Sequence, residues 1–392
     1  MKTTSVTRRL AGSGGAKWAM HTRAVALTEA GRDVIALTIG EPDVPVPASL
    51  CDAAIEGIHA GRLGYSSGRG EPGLRNALAA HYTARTGRKI GPESILCVPG
   101  TQTALYLALQ GVAEAGDEVM VGDPMYATYE GVIRASGAGL VPVPLAPDAG
   151  FLLRAEDLAA RITSRSRAIL LNTPHNPTGA VLTAEDIAEI GEVARSHDLW
   201  IISDEVYADL IFDDHPFASP LARADLAERT IVVSSISKSH AAPGFRSGWC
   251  VASPAFVDAV LPLAEAMLFG NQPFIADMTA RAIREGSPVS AGMRARFAAR
   301  ADRLANRLAA ATPLRVHRPQ AGMFALIDAG PLGIDGTAFA ERLLEEAGVA
   351  VMPGASFGSS LDDWVRVALT VEDTRFDAAI DQIVAHCAAL AA

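Results

Sequence analysis

Cysteine is scarce in this chain of 392 residues: Cys51, Cys97, Cys250 and Cys387 lie far apart and form no C-x-x-C pair. That spacing excludes a zinc ribbon or a disulfide framework and fits reduced thiols in a cytoplasm, with no metal site expected. Basic residues are the minority, 34 against 44 acidic ones for a net charge of −10, and no Lys/Arg run stands out. Nucleic-acid binding rests on a basic footprint and is not expected. No apolar run reaches the ~20 residues that a membrane helix needs. The opening MKTTSVTRRLAGSGG lacks the apolar core of a secretory signal. A cytoplasmic protein with neither nucleic-acid nor membrane partners is expected. Acidity leaves small substrates open, because a local arginine outweighs a distant global charge.

What is present is material for a large core. Apolar residues make up 49% and charged residues 20% of the chain, and the length suits two or three domains of ~150 residues. Short apolar runs read as strands at Ser94–Val98, Glu118–Val121, Leu140–Val143, Arg167–Asn172, Leu199–Ser203, Thr230–Ser234 and Trp249–Val251. Amphipathic stretches such as Thr103–Ala113 and Ala184–Ser196 separate many of them. This alternation predicts an α/β fold: a large domain with a mostly parallel seven-stranded sheet sandwiched by helices. Ligands of such sheets gather at the carboxyl ends of the strands. After about residue 275 the texture changes to a long Ala/Arg-rich helix at Ala291–Ala311, short strands around Gly322–Ile327 and Trp364–Ala368, and helices at Thr337–Glu346 and Asp373–Ala391. These predict a smaller α+β domain. The expected division is 46–275 for the large domain, and 1–45 with 276–392 for the small one.

Two motifs are set aside. Gly68, Gly70 and Gly73 spell G-x-G-x-x-G, but no strand precedes them, as a dinucleotide site requires. Gly354, Ser356 and Gly358 spell G-x-S-x-G, yet the following residues lead back toward a strand and His386 falls in a terminal helix, which does not suit a hydrolase elbow.

The chemistry concentrates in four segments. In VSSISKSHAAPGFRSGW (233–249), a strand ends in hydroxyl residues, then Lys238, then a Gly/Pro turn with Arg246. Ser235, Ser237 and Arg246 suit a phosphate, which accepts charge-assisted hydrogen bonds. The lysine is an amine nucleophile toward an aldehyde if its pKa is lowered. Pro99-Gly100-Thr101-Gln102-Thr103 turns from a strand into a helix, whose N-terminus favours an anion. LNTPHNPTG (171–179) offers the Asn176 amide in a rigid turn. IISDEVYADL (201–210) ends an apolar strand in Asp204, with Tyr207 three residues on. A carboxylate there is costly to bury unless paired, and a protonated pyridine nitrogen would pair it.

Together these segments resemble the class I/II aminotransferases, the fold-type I family of pyridoxal-phosphate enzymes. The resemblance runs from IALTIGEPD (36 onward) to WVRVALT (364–370), with HNPTG, SDEVY and SKS…GFRSGW in family order. It implies pyridoxal 5′-phosphate held as a Schiff base on Lys238, which also shuttles the proton of the substrate Cα. It implies that Asp204 pairs with the ring nitrogen, that Asn176 and Tyr207 bond the phenolic oxygen, and that Tyr126 stacks on the ring. Ser235, Ser237, Arg246, Gly100, Thr101 and Gln102 would hold the phosphate, with Tyr65 reaching the phosphate of a partner subunit in a homodimer with shared active sites. Arg366 would grip the substrate α-carboxylate, with Gly40 and Asn176 in the same pocket. Trp18, in AKWAMHTRAVAL, reads equally as a cap over that pocket and as a packing aromatic.

The implied substrates are an amino acid and a 2-oxo acid such as pyruvate or 2-oxoglutarate. The wording SKSHA and EAMLFGNQPFIAD (265–277) resembles arginine–pyruvate transaminases, so arginine or another basic amino acid is the first expectation. Aspartate or a broad aromatic range comes second. A C–S β-lyase would share Lys238 and Asp204, since fold does not fix function. Glu41 and Asp43 are candidate partners of a cationic side chain, and no role is assigned to His240.

Overall fold

The computed structural model describes residues 2–11 and 15–391. Its central sheet has seven strands in the order Ile95–Val98, Gly248–Val251, Thr230–Ser235, Trp200–Asp204, Ser166–Asn172, Glu118–Asp123, Gly139–Pro144. All run parallel except Gly248–Val251, which is antiparallel to both neighbours. Most of the central strands are buried along their length, which is why they read as continuous apolar runs rather than alternating ones. Helices Thr101–Val112 and Pro254–Met267 cover one face through Leu105, Leu109, Phe256 and Val260. Helices Pro72–Thr86 and Pro273–Glu285 pack on the other side through Leu74, Leu78, Ile275 and Met278.

This topology gathers the polar segments along one edge. Asn172, Asp204 and Ser235 are the last residues of three adjacent parallel strands. The reversed strand begins at that same edge with Gly248, so Arg246 arrives there just before it.

A four-stranded antiparallel sheet, ordered Met352–Pro353, Trp364–Ala368, Phe324–Asp328, Arg315–His317, carries Arg366 opposite Leu326. Ile35–Ala36 pairs in parallel with Val349–Ala350. Helices Ser290–Ala311, Gly336–Ala347 and Asp373–Ala391 bury Phe297, Leu304, Phe339, Leu343 and Phe376 against this region. The strand-like run from Val349 thus splits: its first two residues pair with the N-terminal segment and Met352–Pro353 joins the other sheet. Among the described residues, no helix is long and apolar enough to cross a membrane.

Neither set-aside motif forms its namesake. Gly73 lies inside helix Pro72–Thr86. Gly354–Ser356 is a 3₁₀ turn followed by a second one at Ser359–Leu361, and His386 is buried in the last helix against Phe339. Helix Ala184–Ser196 starts with a capping box, in which the Thr183 hydroxyl accepts from the Asp186 N–H and the Asp186 carboxylate accepts from the Thr183 N–H. Replacing Thr183 by Ala removes the first of these bonds. Urea denaturation should show a loss of about 1 kcal/mol with an unchanged slope.

Candidate active site

The carboxyl edge opens into a cavity of about 300 Å³. Every site residue expected from the sequence lines it except Gly100 and Tyr65.

Asp204 is 4% exposed. The Tyr129 hydroxyl donates to its Oδ2 at 2.8 Å and the Val206 N–H to its Oδ1 at 3.2 Å. Burial pushes its pKa up to about 6, against the pull of these two bonds. Among the described residues no cation pairs with it, so the site holds a buried acid that lacks a positive partner. Tyr129 has no role in the sequence reading, although it belongs to the same GDPMYATYE segment as Tyr126; the two rings meet edge to face at 5.5 Å. Asn172 likewise has no role there. Its Oδ1 accepts from the Asn176 N–H at 2.8 Å and its Nδ2 donates to the Asp204 carbonyl at 3.2 Å, so it ties two of the expected residues together.

Lys238 lies in a single helical turn, Ile236–Ser239. Its Nζ donates to the Gly40 carbonyl at 2.5 Å. Burial lowers its pKa to about 8; Glu41 opposes the shift, and Arg366 and Arg246 add to it. This amine is therefore a far better nucleophile and base near neutrality than a surface lysine.

Beside it, helix Thr101–Val112 begins two residues earlier than the periodicity indicates, because Gly100 takes φ +85° and lets the chain enter the helix at once. No side chain caps this end, which leaves its N–H groups and dipole for an anion. The Ser235 Oγ already accepts from the Thr101 hydroxyl at 2.9 Å and the Ser237 N–H at 3.3 Å, so its own O–H is left to donate. Arg246, in the left-handed region at φ 50°, lies over Gly100 so closely that a Cβ there would overlap the guanidinium. A Cβ on Gly248 would come within 2.5 Å of the Gly100 carbonyl carbon. Gly100 is thus the floor that admits Arg246 rather than a lining residue. Gln102 faces the cavity with its Oε1 accepting from the Thr128 hydroxyl at 3.0 Å.

Arg366 is 1% exposed. Its guanidinium lies 3.8 Å from the Phe324 ring centroid and 4.3 Å from that of Phe357. Nη1 donates to Asn176 Oδ1 at 3.1 Å and Nη2 to the Thr38 carbonyl at 2.7 Å, while Nε has no partner. Burial lowers its pKa to about 10, with Tyr207 and Tyr126 opposing. Among the described residues no carboxylate pairs with it. Phe324, Phe357 and Thr38 carry no motif signal, because their part is to sandwich and orient the arginine. Burial raises the Tyr207 pKa, which a hydrogen bond with Asn176 moderates. Trp18 lines the cavity from the N-terminal segment.

Tyr65 lies apart from the cavity and is 95% exposed, edge-on to Phe269 at 6.1 Å. Asp43 is occupied by Arg296 at 3.0 Å and Arg300 at 2.7 Å. His240 shares a hydrogen bond with the Ser239 hydroxyl at 2.9 Å, beneath the lysine turn.

The donor set fits pyridoxal phosphate: an activated lysine, a buried acid without a cation, and hydroxyls, a guanidinium and a helix N-terminus converging at a glycine floor. Residues 32–383 match the model of the family described as aminotransferase class I and II. An arginine–pyruvate transaminase of Pseudomonas aeruginosa is 41% identical over 95% of this chain and 94% of its own length. An aspartate/prephenate aminotransferase of Thermus thermophilus is 33% identical over 87% of this chain and 88% of its own. The structure of Thermus thermophilus aspartate aminotransferase with maleate superposes with a TM-score of 0.92 at 30% identity, covering 98% of this chain and all of that one. The chain belongs to the class I and II aminotransferases and uses pyridoxal phosphate.

The Asp204 shift makes a prediction with a definite sign. Its folded pKa, about 6, lies above the ordinary 3.8, so in the cofactor-free chain proton binding favours the folded state. Stability contributed by the protonated acid is present at low pH and is lost as pH rises through about 6. Asp204→Asn should therefore stabilise the cofactor-free protein above that pH, by up to roughly 3 kcal/mol, and should weaken cofactor retention. Thermal melts at pH 5 and pH 8, with and without cofactor, check both signs. In Gly100→Ala, Arg246 must move, and cofactor affinity measured by equilibrium dialysis should fall about tenfold or more.

Proposed function

As a member of this family the protein, we propose, transfers the amino group of a basic L-amino acid, arginine first, to a 2-oxo acid such as pyruvate or 2-oxoglutarate. The observation that carries this reading is the set of cations around the cavity. Among the described residues that line it they are Lys238, Arg246 and Arg366. One is required for the cofactor's aldehyde, one for its phosphate and one for the α-carboxylate, so none of this chain's described lining cations is left for an acidic side chain. The 41% identity with an arginine–pyruvate transaminase supports the same choice of donor and acceptor.

Pyridoxal phosphate, when bound, supplies the aldehyde that takes up the amino group and the ring that draws electrons from Cα. Lys238 is its point of covalent attachment. Asp204, kept anionic by the Tyr129 and Val206 bonds once a positive ring nitrogen faces it, holds that nitrogen protonated. Ser235, Ser237, Arg246, Thr101 and Gln102 would hold the phosphate, Tyr126 would face the ring, and Asn176 and Tyr207 would donate to the phenolic oxygen. Arg366, flattened between two phenyl rings, offers its fork to the α-carboxylate and so presents the Cα–H to Lys238. The Lys238 amine, neutral in part near its lowered pKa, would take the Cα proton and deliver it to the former aldehyde carbon, two atoms along. Trp18 and Gly40 line the same pocket.

The chain divides into a large unit at 46–275 and a small one built from 1–45 and 276–392; the pairing of Ile35–Ala36 with Val349–Ala350 supports joining the two ends, whereas helix Pro273–Glu285, packed on the central sheet, argues for extending the large unit past 275. The protein works in the cytoplasm as a homodimer with shared sites. In support, Leu63, Tyr65, Met267 and Phe269 are exposed apolar residues of one region, and Tyr65 and Phe269 are in ring contact.

A panel of amino donors with pyruvate or 2-oxoglutarate tests the assignment. Arginine should give the highest kcat/KM and aspartate one of the lowest. Pyruvate and ammonia released without an acceptor would instead identify a lyase. Lys238→Ala should abolish turnover and alter the cofactor's visible spectrum; an unchanged spectrum would assign attachment to another lysine. Arg366→Lys keeps the charge but loses the fork, and should raise KM for the donor about tenfold to a hundredfold, corresponding to roughly 1.4–2.8 kcal/mol.

A further inference from the structure

We propose that helix Ser290–Ala311 is a frame that positions Lys238 from both ends: Ser287, at its start, fixes the backbone beside the lysine, and Arg296 and Arg300 fix Asp43, which sets the Gly40 carbonyl against the lysine amine. The inference rests on the reading of Lys238 as the proton-carrying amine.

The contacts form a closed ring. The Ser287 hydroxyl donates to the carbonyl of Ser239, the residue after Lys238, at 2.5 Å. The same oxygen accepts from the N–H groups of Val289 at 3.3 Å and Ser290 at 3.0 Å, so it also anchors the helix start. Along that helix, Arg296 and Arg300 stand four residues apart and therefore on one face. Arg296 grips Asp43 with a two-pronged contact at 3.1 and 3.0 Å, and Arg300 adds a third at 2.7 Å. Arg300 is 2% exposed and is itself held by the Leu369 carbonyl at 2.8 Å. Asp43 follows Gly40 by three residues, and the Gly40 carbonyl accepts from Lys238 Nζ at 2.5 Å.

Neither Ser287 nor Asp43 lines the cavity. The charges that act on the lysine amine are those of Glu41, Arg366 and Arg246. Asp43, neutralised by two guanidiniums, acts by holding its loop in place and not by its field. Ser287 and Asp43 are therefore positioning residues. A shift of the helix moves the backbone of Lys238 and the acceptor of its amine together, which keeps the amine aimed.

Ser287→Ala and Asp43→Asn test this, with Ser287→Thr as the conservative control. In the full-length holoenzyme, turnover of an arginine donor carrying hydrogen or deuterium at Cα should show kcat reduced about tenfold or more. KM should be nearly unchanged, the deuterium effect fully expressed, and Ser287→Thr close to wild type. In the full-length protein stripped of cofactor, competitive amine labelling of Lys238, read by peptide mass spectrometry, should show its titration midpoint moving up from about 8 as water reaches the amine. If Ser287→Ala melts earlier but keeps the wild-type kcat and labelling midpoint, the helix serves only the fold and the proposal is overturned. Where Asp43→Asn does not fold because Arg300 loses one of its two carboxylate partners, Asp43 and Asp373, Ser287→Ala decides alone. A Lys238→Ala protein with an unaltered cofactor spectrum would overturn the lysine assignment, an outcome separate from either of these.

Discussion

A carboxylate at the end of a hydrophobic strand is the constraint around which this site is organised. Asp204 loses water on folding and gains two hydrogen bonds, which compensate only part of the cost of burying a charge. In the proposed function, the imbalance would be reversed when a cationic ring nitrogen arrives. Arg366 shows the same logic with the opposite sign, a buried guanidinium held by a carbonyl and an amide oxygen but by no carboxylate among the described residues. Folding thus leaves one anion and one cation incomplete in the same cavity, and in the proposed function each would be matched by one part of the cofactor–substrate pair. The protein gives up stability at these two points and recovers it on binding.

Much of this arrangement is legible in the chain because the fold places chemistry at strand ends. Asn172, Asp204 and Ser235 end apolar runs, and a parallel sheet brings such ends to one edge. The strands and long helices follow from apolar runs and periodicity, with ends shifted by a residue or two where a cap or a left-handed glycine intervenes, as at Gly100. Tyr129, Asn172, Phe324 and Phe357 are not legible as site residues. Their parts depend on which face of a helix or strand meets Asp204 or Arg366, and spacing alone does not determine that. Tyr129 begins a helix whose register turns its hydroxyl toward the acid. Phe324 owes its place over the guanidinium to the antiparallel pairing of its strand with Trp364–Ala368, the strand that carries Arg366.

The substrate's side chain is the part least determined by these residues, for a physical reason. The cofactor and the α-carboxylate have fixed charges, and the residues proposed to meet them, Lys238, Arg246, Asp204 and Arg366, are residue types that stand out in sequence. A side-chain pocket needs only shape and one or two complementary groups, drawn from segments far apart in the chain. The contrast between Asp43 and Glu41 makes the point. The two acids are two residues apart and equivalent as sequence, yet Asp43 is committed to Arg296 and Arg300, whereas Glu41 acts electrostatically on the Lys238 amine. Only the tertiary structure separates a carboxylate that holds the frame from one whose field reaches the reacting groups. Glu41 is exposed and stands outside the cavity lining, so its field reaches the lysine without its carboxylate forming part of the pocket wall.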